Sequence, residues 1–487
     1  MKNEVAVVIV GAGPAGLATS AYLNLLSISN IILERENCCA SLWRHRAYDR
    51  LNLHLAKEFC HLPHMPHPPT APTFIPIKDF IQYLEDYVSH FDVKPKYCRM
   101  VESAAFHGKA KRWCVMATNS ESGVAKEYSC RFLVVATGEN SKEFIPDVPG
   151  LESFNGEVLH SSKYKSGSKY SGEAVLVVGC GNSGMEIAYD LASYGTKSSI
   201  VVRSLFHVLT KEIVQLGMTL LKSSPCNMVD DLVLSLGKLH FGDMTKYGIV
   251  RPSKGPFYLK EITGRSPVID VGTLKKIKSG DIQVLPELKR VDGNEAIFAN
   301  GNSHRFDAIV FATGYRSTAR KWLKEDDYLL NQDGMPKHDF PNHWKGKNGL
   351  YCAGLSRRGL AGLSMDAQNV HVVTKEIVQL GMTLLKSSPC NMVDDLVLSL
   401  SKLQFGDMTK YGIVRLSDGP FYLKETNGRS PVIDVDTLKK IKSGYIQVLL
   451  ELIRFDGNEA IFTNGNSHRF NTIVFATGYR STTKKWV

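Results

Sequence analysis

Val5-Ala6-Val7-Val8-Ile9-Val10 runs directly into Gly11-Ala12-Gly13-Pro14-Ala15-Gly16 and then into the apolar stretch Ala15 to Leu26. A β-branched run, a GxGxxG turn and a helix in that order form the first half of a dinucleotide-binding unit. Each glycine has a separate task there. Gly11 permits the tight turn, Gly13 lets backbone approach a pyrophosphate, and Gly16 lets helix and strand pack closely, while the helix N-terminus offers N–H donors and positive dipole. The next strand, Ile31 to Leu33, ends at Glu34, placed to accept from ribose hydroxyls.

The same unit recurs as Ala174 to Val178, then Gly179-Cys180-Gly181-Asn182-Ser183-Gly184, then a helix from Met185 to Tyr194. At the end of the following strand stands Arg203, followed by Ser204, where the first unit has an acid. A carboxylate there would repel a 2′-phosphate and a guanidinium can bind it bidentately, so the second site favours NADPH over NADH. Two dinucleotide sites, acidic first and basic second, imply electron flow from NADPH to a flavin. No CxxC is present to receive those electrons, which leaves oxygen or an organic acceptor.

Outward from the loops the pattern stays α/β. Phe132 to Ala136, Ser199 to Val202 and Ile309 to Ala312 read as further buried parallel strands, and the Pro-rich Leu62 to Pro76 reads as a loop. At 487 residues, two or three domains are expected. No uncharged apolar run is long enough to span a membrane, and the N-terminal apolar stretch is too short for a signal sequence. With ten scattered cysteines, none paired at metal or redox spacing, a cytoplasmic protein without a metal site is expected. The net charge of +11 is dispersed rather than clustered with aromatics. It fits two polyphosphate cofactors and an acidic substrate better than nucleic acid.

Between the two loops lies Phe154-Asn155-Gly156-Glu157-Val158-Leu159-His160-Ser161-Ser162-Lys163-Tyr164, an FxGxxxHxxxY pattern. This motif resembles that of flavin-containing monooxygenases and related Baeyer–Villiger enzymes. Glu34-Arg35, Ala40-Ser41-Leu42-Trp43, Tyr48-Asp49-Arg50-Leu51, Leu53-His54-Leu55, Asp333 to Lys337, 340–346 and 349–369 narrow the likeness. Over residues 4 to 369 the chain resembles the plant YUCCA family. Ala56 stands where that family usually has Pro, His67 where an aromatic-Pro pair is usual, and the pattern is left after Asn369.

The resemblance implies an α/β two-dinucleotide-binding-domain flavoprotein: an FAD-binding Rossmann-like domain, residues 1–165 and 306–370, with an inserted NADPH-binding Rossmann-like domain, residues 166–305. It implies that NADPH reduces FAD, that O2 adds to give a C4a-peroxide, and that indole-3-pyruvate, a 2-oxo acid, is decarboxylated to indole-3-acetate in auxin biosynthesis. Beside FAD it places the first Gly loop, Glu34, Arg35, Trp43, Leu53, Thr137, Gly138 and Asp366, with His54 near the reactive edge. Asp366 either contacts flavin or caps a helix beginning at Ser364. Beside NADPH it places the second loop, Arg203, Ser204 and the strand end Thr313-Gly314-Tyr315. Phe154, Gly156, His160 and Tyr164 are implied to position one domain against the other.

One feature belongs to no family pattern. His207 to Leu323 reappears as His371 to Val487 at an offset of 164, with 18 of 117 positions differing. Solenoid units are shorter, about 20–50 residues, so this is a duplication. The copy carries a third strand ending, Ala476-Thr477-Gly478, but no Gly-rich loop before it. It is expected to form an incomplete domain, joined to the helix after Asn369 by the helical spacing of Val370, Val373, Ile377 and Leu380. Two other readings compete with the YUCCA reaction: oxygenation of nitrogen or sulfur, and a catalytically silent paralogue whose extra strand competes for its own sheet.

Overall fold

Strand β1 (Asn3–Val10) buries both faces, which is why its apolar run is unbroken. Val7 and Ile9 pack with Leu17, Ala18, Phe80, Leu84 and Tyr87 on one side, and Val8 and Val10 with Leu33, Trp113, Val115 and Tyr128 on the other. The alternation is the period of two that a strand imposes on its side chains. Each such buried side chain contributes about 1.5–3 kcal/mol relative to exposure.

The computed structural model describes residues 3–323, 326–339, 342–362, 441, 452–456, 459–462 and 466–469. It divides into two compact units, Met1–His371 and Val372–Val487.

After β1 the chain forms α1 (Pro14–Leu25), β2 (Asn30–Leu33), α2 (Ser41–His45), α3 (Ile77–His90), β3 (Arg99–His107), β4 (Arg112–Asn119) and β5 (Ala125–Val135). The first sheet has the order β2-β1-β5-β4-β3. β1 runs parallel to β2 and β5, and β5, β4 and β3 are antiparallel. Helix α3 covers one face through Ile77, Phe80, Tyr83, Leu84 and Tyr87, a helical stripe. The Pro-rich segment before it is irregular, and Pro76 is its N-cap.

The chain then crosses through β6 (Lys142–Glu143) into β7 (Glu157–His160), β8 (Ala174–Val178), α4 (Asn182–Ser193), β9 (Lys197–Val201) and β10 (Val208–Leu209). Helices α5 (Lys211–Leu220), α6 (Cys226–Phe241) and α7 (Pro256–Thr263) follow, then β11 (Val268–Ile269), α8 (Thr273–Ser279) and β12 (Ile282–Leu285). A meander of β13 (Leu288–Asp292), β14 (Glu295–Phe298) and β15 (Ser303–Arg305) precedes β16 (Ala308–Phe311), β17 (Tyr315–Arg316), α9 (Ala319–Trp322) and β18 (Leu350–Cys352). The second sheet, β12-β9-β8-β16-β7, is parallel throughout. β18 returns to the first sheet beside β5.

Because β7 and β16 pair in the second sheet, that sheet takes in residues on both sides of the boundaries expected at 165/166 and 305/306. The chain changes sheets at the short ladder between β6 and β17 instead. A four-residue strand such as β7 carries too little pattern to be told from a linker.

In the second unit, β19 (Leu452–Asp456), β20 (Glu459–Phe462) and β21 (Ser467–Arg469) form an antiparallel meander with Ala460 and Phe462 buried. Ala476-Thr477-Gly478 and the helix expected from Val370 to Leu380 lie outside the described residues, as does Asp366 with the helix start expected at Ser364.

Candidate functional site: two nucleotide loops on one cavity

The first loop leaves β1 at Gly11 with φ of 110°, and a Cβ there would lie 2.5 Å from the carbonyl oxygen of Ala136. A Cβ on Gly16 would lie 1.9 Å from the Gly11 oxygen. These two glycines are demanded by the chain itself. Gly13 is not, since nothing lies within 4 Å of a Cβ built on it. It is the N-cap of α1, without a side-chain cap, followed by Pro14 and Ala15. Open space and uncapped N–H groups at a helix start suit a pyrophosphate. At the neighbouring strand end the Thr137 hydroxyl is buried without a hydrogen-bond partner, and Gly138 has φ of 72°. The loop and this orphaned hydroxyl fit FAD, which would supply the missing partners.

Glu34 is buried and its carboxylate closes the loop, accepting from the N–H of Ala12 (2.6 Å) and of Glu36 (3.0 Å). Burial pushes its pKa up against those two hydrogen bonds. Both oxygens are thus already in use by backbone, and a ribose would share them. Arg35 donates to the Ser141 carbonyl (3.0 Å) and pairs with Glu36 (3.3 Å). Trp43 meets Phe80 edge-on at 5.2 Å, and buried Leu53 is fixed by its N–H to Ile75 oxygen (2.8 Å).

The second loop repeats the geometry. Gly179 has φ of 114°, with Ala312 oxygen 2.5 Å from its would-be Cβ; Gly184 meets Gly179 oxygen at 1.9 Å; Gly181 meets nothing. Asn182 accepts from Ile269 N–H (2.7 Å), tying the loop to β11, and Ser183 lines the cavity described below. Burial raises the pKa of the Cys180 thiol. The Arg203 side chain is 70% exposed and only loosely paired with Glu287, at 3.7 Å, so its guanidinium is free to meet a phosphate; Ser204 follows it in the loop after β9. These features fit NADPH.

The FxGxxxHxxxY residues hold this half together. Phe154 is buried against the second sheet, and a Cβ on Gly156 would lie 2.1 Å from Asp307 oxygen. His160 Nδ1 accepts from the Ser162 N–H (3.2 Å), so Nε2 carries the proton and donates to Gly314 oxygen (3.0 Å). Its ring meets Tyr315 edge-on at 4.9 Å, and Thr313 donates to Phe144 oxygen. The motif thereby fixes the turn Thr313-Gly314-Tyr315. Tyr164 donates to Asp190 (2.7 Å) on α4.

The contacts across the two halves were not legible beforehand. Glu186 and Asp190, both buried on α4, face Tyr48, Arg50 and His54 of the first half. Tyr48 donates to Glu186 (2.7 Å), and His54 Nε2 lies 3.0 Å from the same oxygen. Arg50 is 3.7 Å from Glu186 and 3.8 Å from Asp190, over the Tyr189 ring at 4.4 Å. Burial pushes the Glu186 pKa up, but hydrogen bond and charge from His54, then Tyr48 and Arg50, outweigh it and hold the carboxyl below its ordinary value. An ionised Glu186 makes Nε2 the protonated nitrogen of His54, leaving Nδ1 for any ligand. His54 is therefore part of an interdomain clasp as well as a lining residue. The one available signal was two acids four apart on one helix, which otherwise reads as a solvated face.

A cavity of about 1010 Å³ lies where the halves meet, and it brings Trp43, Leu53 and His54 together with Asn182, Ser183 and Tyr315. Of the three departures noted in the sequence, two fall on described residues: Ala56 has φ −64° and ψ 151°, within proline's range, and the His67 ring lies tilted against Tyr83 at 4.0 Å. Among the described residues no helix is long and apolar enough to cross a membrane, and no His, Cys, Asp and Glu group is arranged to hold a metal.

Comparison with known proteins agrees with this geometry. Residues 8–212 match the pyridine nucleotide-disulphide oxidoreductase family. The chain is 53% identical over 368 residues to the probable indole-3-pyruvate monooxygenase YUCCA10 of Arabidopsis thaliana, covering 75% of this chain and 96% of that one. It is 46% identical over 388 residues to indole-3-pyruvate monooxygenase YUCCA4 of Oryza sativa subsp. japonica, covering 76% and 87%. Among solved structures, a flavin-containing monooxygenase from Stenotrophomonas maltophilia superimposes with a TM-score of 0.58 at 21% identity, covering 77% of this chain and 99% of that one. Cyclohexanone monooxygenase from Rhodococcus sp. Phi1, bound to NADP+, gives 0.58 at 14% identity, covering 76% and 84%. With its two glycine loops, its linking motif and this level of identity, the chain belongs to the YUCCA family of indole-3-pyruvate monooxygenases.

Proposed function

We propose that this chain holds FAD at its first loop and NADPH at its second and converts indole-3-pyruvate to indole-3-acetate, the auxin-forming reaction. The balance is one 2-oxo acid, O2, NADPH and a proton giving one carboxylic acid, CO2, water and NADP+. Bound flavin supplies the redox chemistry, passing two electrons from NADPH to O2. The chain's own work is placement. The observation that carries the reading is that flavin-side Trp43, Leu53 and His54 and nicotinamide-side Asn182, Ser183 and Tyr315 line one cavity.

Gly11 to Gly16 and Gly179 to Gly184 seat the pyrophosphates, Arg203 selects the 2′-phosphate, and Thr137 and Gly138 close the first site. The clasp of Glu186 and Asp190 on Tyr48, Arg50 and His54 keeps the two sites at one distance and shields the cavity from water. We place the enzyme in the cytoplasm, a reading supported by nine described cysteines that are all free thiols.

The test is purified full-length protein with a bound flavin spectrum, assayed for NADPH and O2 consumption and for CO2 and indole-3-acetate formed from indole-3-pyruvate. One CO2 per NADPH is expected. NADPH oxidation without CO2 release, with an amine or sulfide oxygenated instead, would favour the nitrogen- or sulfur-oxygenating alternative, and a colourless product would favour the silent one.

A further inference from the structure

Six charged side chains line the cavity: Arg46, Lys260, Glu261, Asp339, Arg357 and Arg358. Arg46 is committed to Ser141 oxygen (3.1 Å) and to Glu36 (3.9 Å), and Arg358 to Glu261 (3.5 Å). Lys260 and Arg357 are the cations left over. Lys260 spends one of its three donors on Gly264 oxygen (3.0 Å), at the end of its own helix α7. Burial is the largest influence and pushes its pKa down; the Glu139 charge opposes it, and Arg357 and Arg358 add smaller downward pushes. A half-dehydrated ammonium with like charges around it is stabilised by an arriving anion.

Arg357 comes from the other half of the molecule, in the turn after β18. It sits at φ of 60°, a left-handed conformation costly for a side chain with a Cβ. Its Cδ lies 2.6 Å from where a Cβ on Gly264 would be, and Gly264 itself has φ of 73°. Glycine at 264 thus lets Arg357 lie against the end of the helix that carries Lys260. Among the described residues no carboxylate is in ion-pair distance of Arg357. The same lining carries apolar Trp43, Met218, Leu221, Phe257 and Leu360 as well as His54.

We propose that Lys260 and Arg357 together bind the carboxylate of an aryl 2-oxo acid, whose ring lies along these apolar side chains; this rests on the decarboxylating reading above. Asp339, the acid of the lining without a cation in ion-pair distance among the described residues, repels a second carboxylate and so favours one orientation.

The experiment measures steady-state kinetics with indole-3-pyruvate for Lys260→Met and Arg357→Gln, with flavin per chain as the check that each variant is folded. Each is expected to raise KM at least tenfold while lowering kcat less than threefold, and Lys260→Arg to recover most of the loss. The carboxylate-free ketone indol-3-ylacetone, used as a competitive inhibitor, should bind the variants as it binds the parent. Lys254→Met removes a nearby exposed charge and should leave KM unchanged. KM within twofold of the parent in both variants overturns the assignment, as does an equal weakening of ketone inhibition. A parent enzyme that releases no CO2 from any 2-oxo acid overturns the underlying reading and the assignment with it.

Discussion

The two glycine loops are nearly the same object and yet treat their acidic and basic residues in opposite ways. Gly11 and Gly179 have φ of 110° and 114°, and the clash distances behind Gly16 and Gly184 are both 1.9 Å. Backbone geometry is repeated because the pyrophosphate is common to both ligands. What differs is around it. Glu34 is withdrawn into the protein to close its own loop, whereas Arg203 is left in solvent. Helix α1 buries apolar and hydroxyl-bearing residues and no charged one, whereas α4 buries Glu186 and Asp190 to reach the other half. One loop serves its own domain, and the other also ties two domains together.

The comparison breaks hardest at the glycines. Gly16→Val puts side-chain atoms into the Gly11 carbonyl and should cost more than about 4 kcal/mol, read as loss of soluble, cooperatively melting protein. Arg203→Glu should raise KM for NADPH about 30- to 100-fold and shift preference toward NADH, in line with about 2–3 kcal/mol for a charge-assisted phosphate contact. Gly181→Ala meets open space, so Tm should stay within about 2 °C, while KM for NADPH rises about tenfold because the backbone can no longer be approached.

The two buried acids sharpen the contrast through pH. The folded pKa of Glu186 is depressed, so its contribution is present above the unfolded carboxylate range near about 4.3 and is lost as pH falls through the folded value. Glu186→Gln should cost about 1–3 kcal/mol at pH 7 and progressively less below about pH 4. The folded pKa of Glu34 is raised, so the sign reverses and stability is lost as pH rises through that value. Glu34→Gln should therefore fare better against the parent at pH 8 than at pH 4, measured by urea melts at both. The smallest effect is expected from removing residues 372–487, which hold no Gly-rich loop: turnover and flavin content should stay within about twofold.

Much of the nucleotide-binding framework was legible because glycine spacing and buried parallel strands leave strong local patterns; Ala174–Val178 is read from sequence with the same ends that the structure gives. β5 was read from Phe132 but begins at Ala125, since its first residues pair with β4 on a half-exposed face and mix polar with apolar. Glu186, Asp190, Lys260 and Arg357 were not found. Each looks like an ordinary surface charge until a distant segment is folded against it, and nothing in the local sequence records that approach.

The meander β13-β14-β15 and its duplicate β19-β20-β21 share the same pairing, down to the irregularity between Leu288 and Arg290 and between Leu452 and Arg454. So local a structure forms early, and timing then matters. At about 5–20 residues per second on the ribosome, the 164-residue offset gives the first copy roughly 8 to 30 s of synthesis before its rival emerges. By then Val291 can have docked against Val148 and Phe154, well before the ribosome adds position 455, where the later copy has Phe in place of valine.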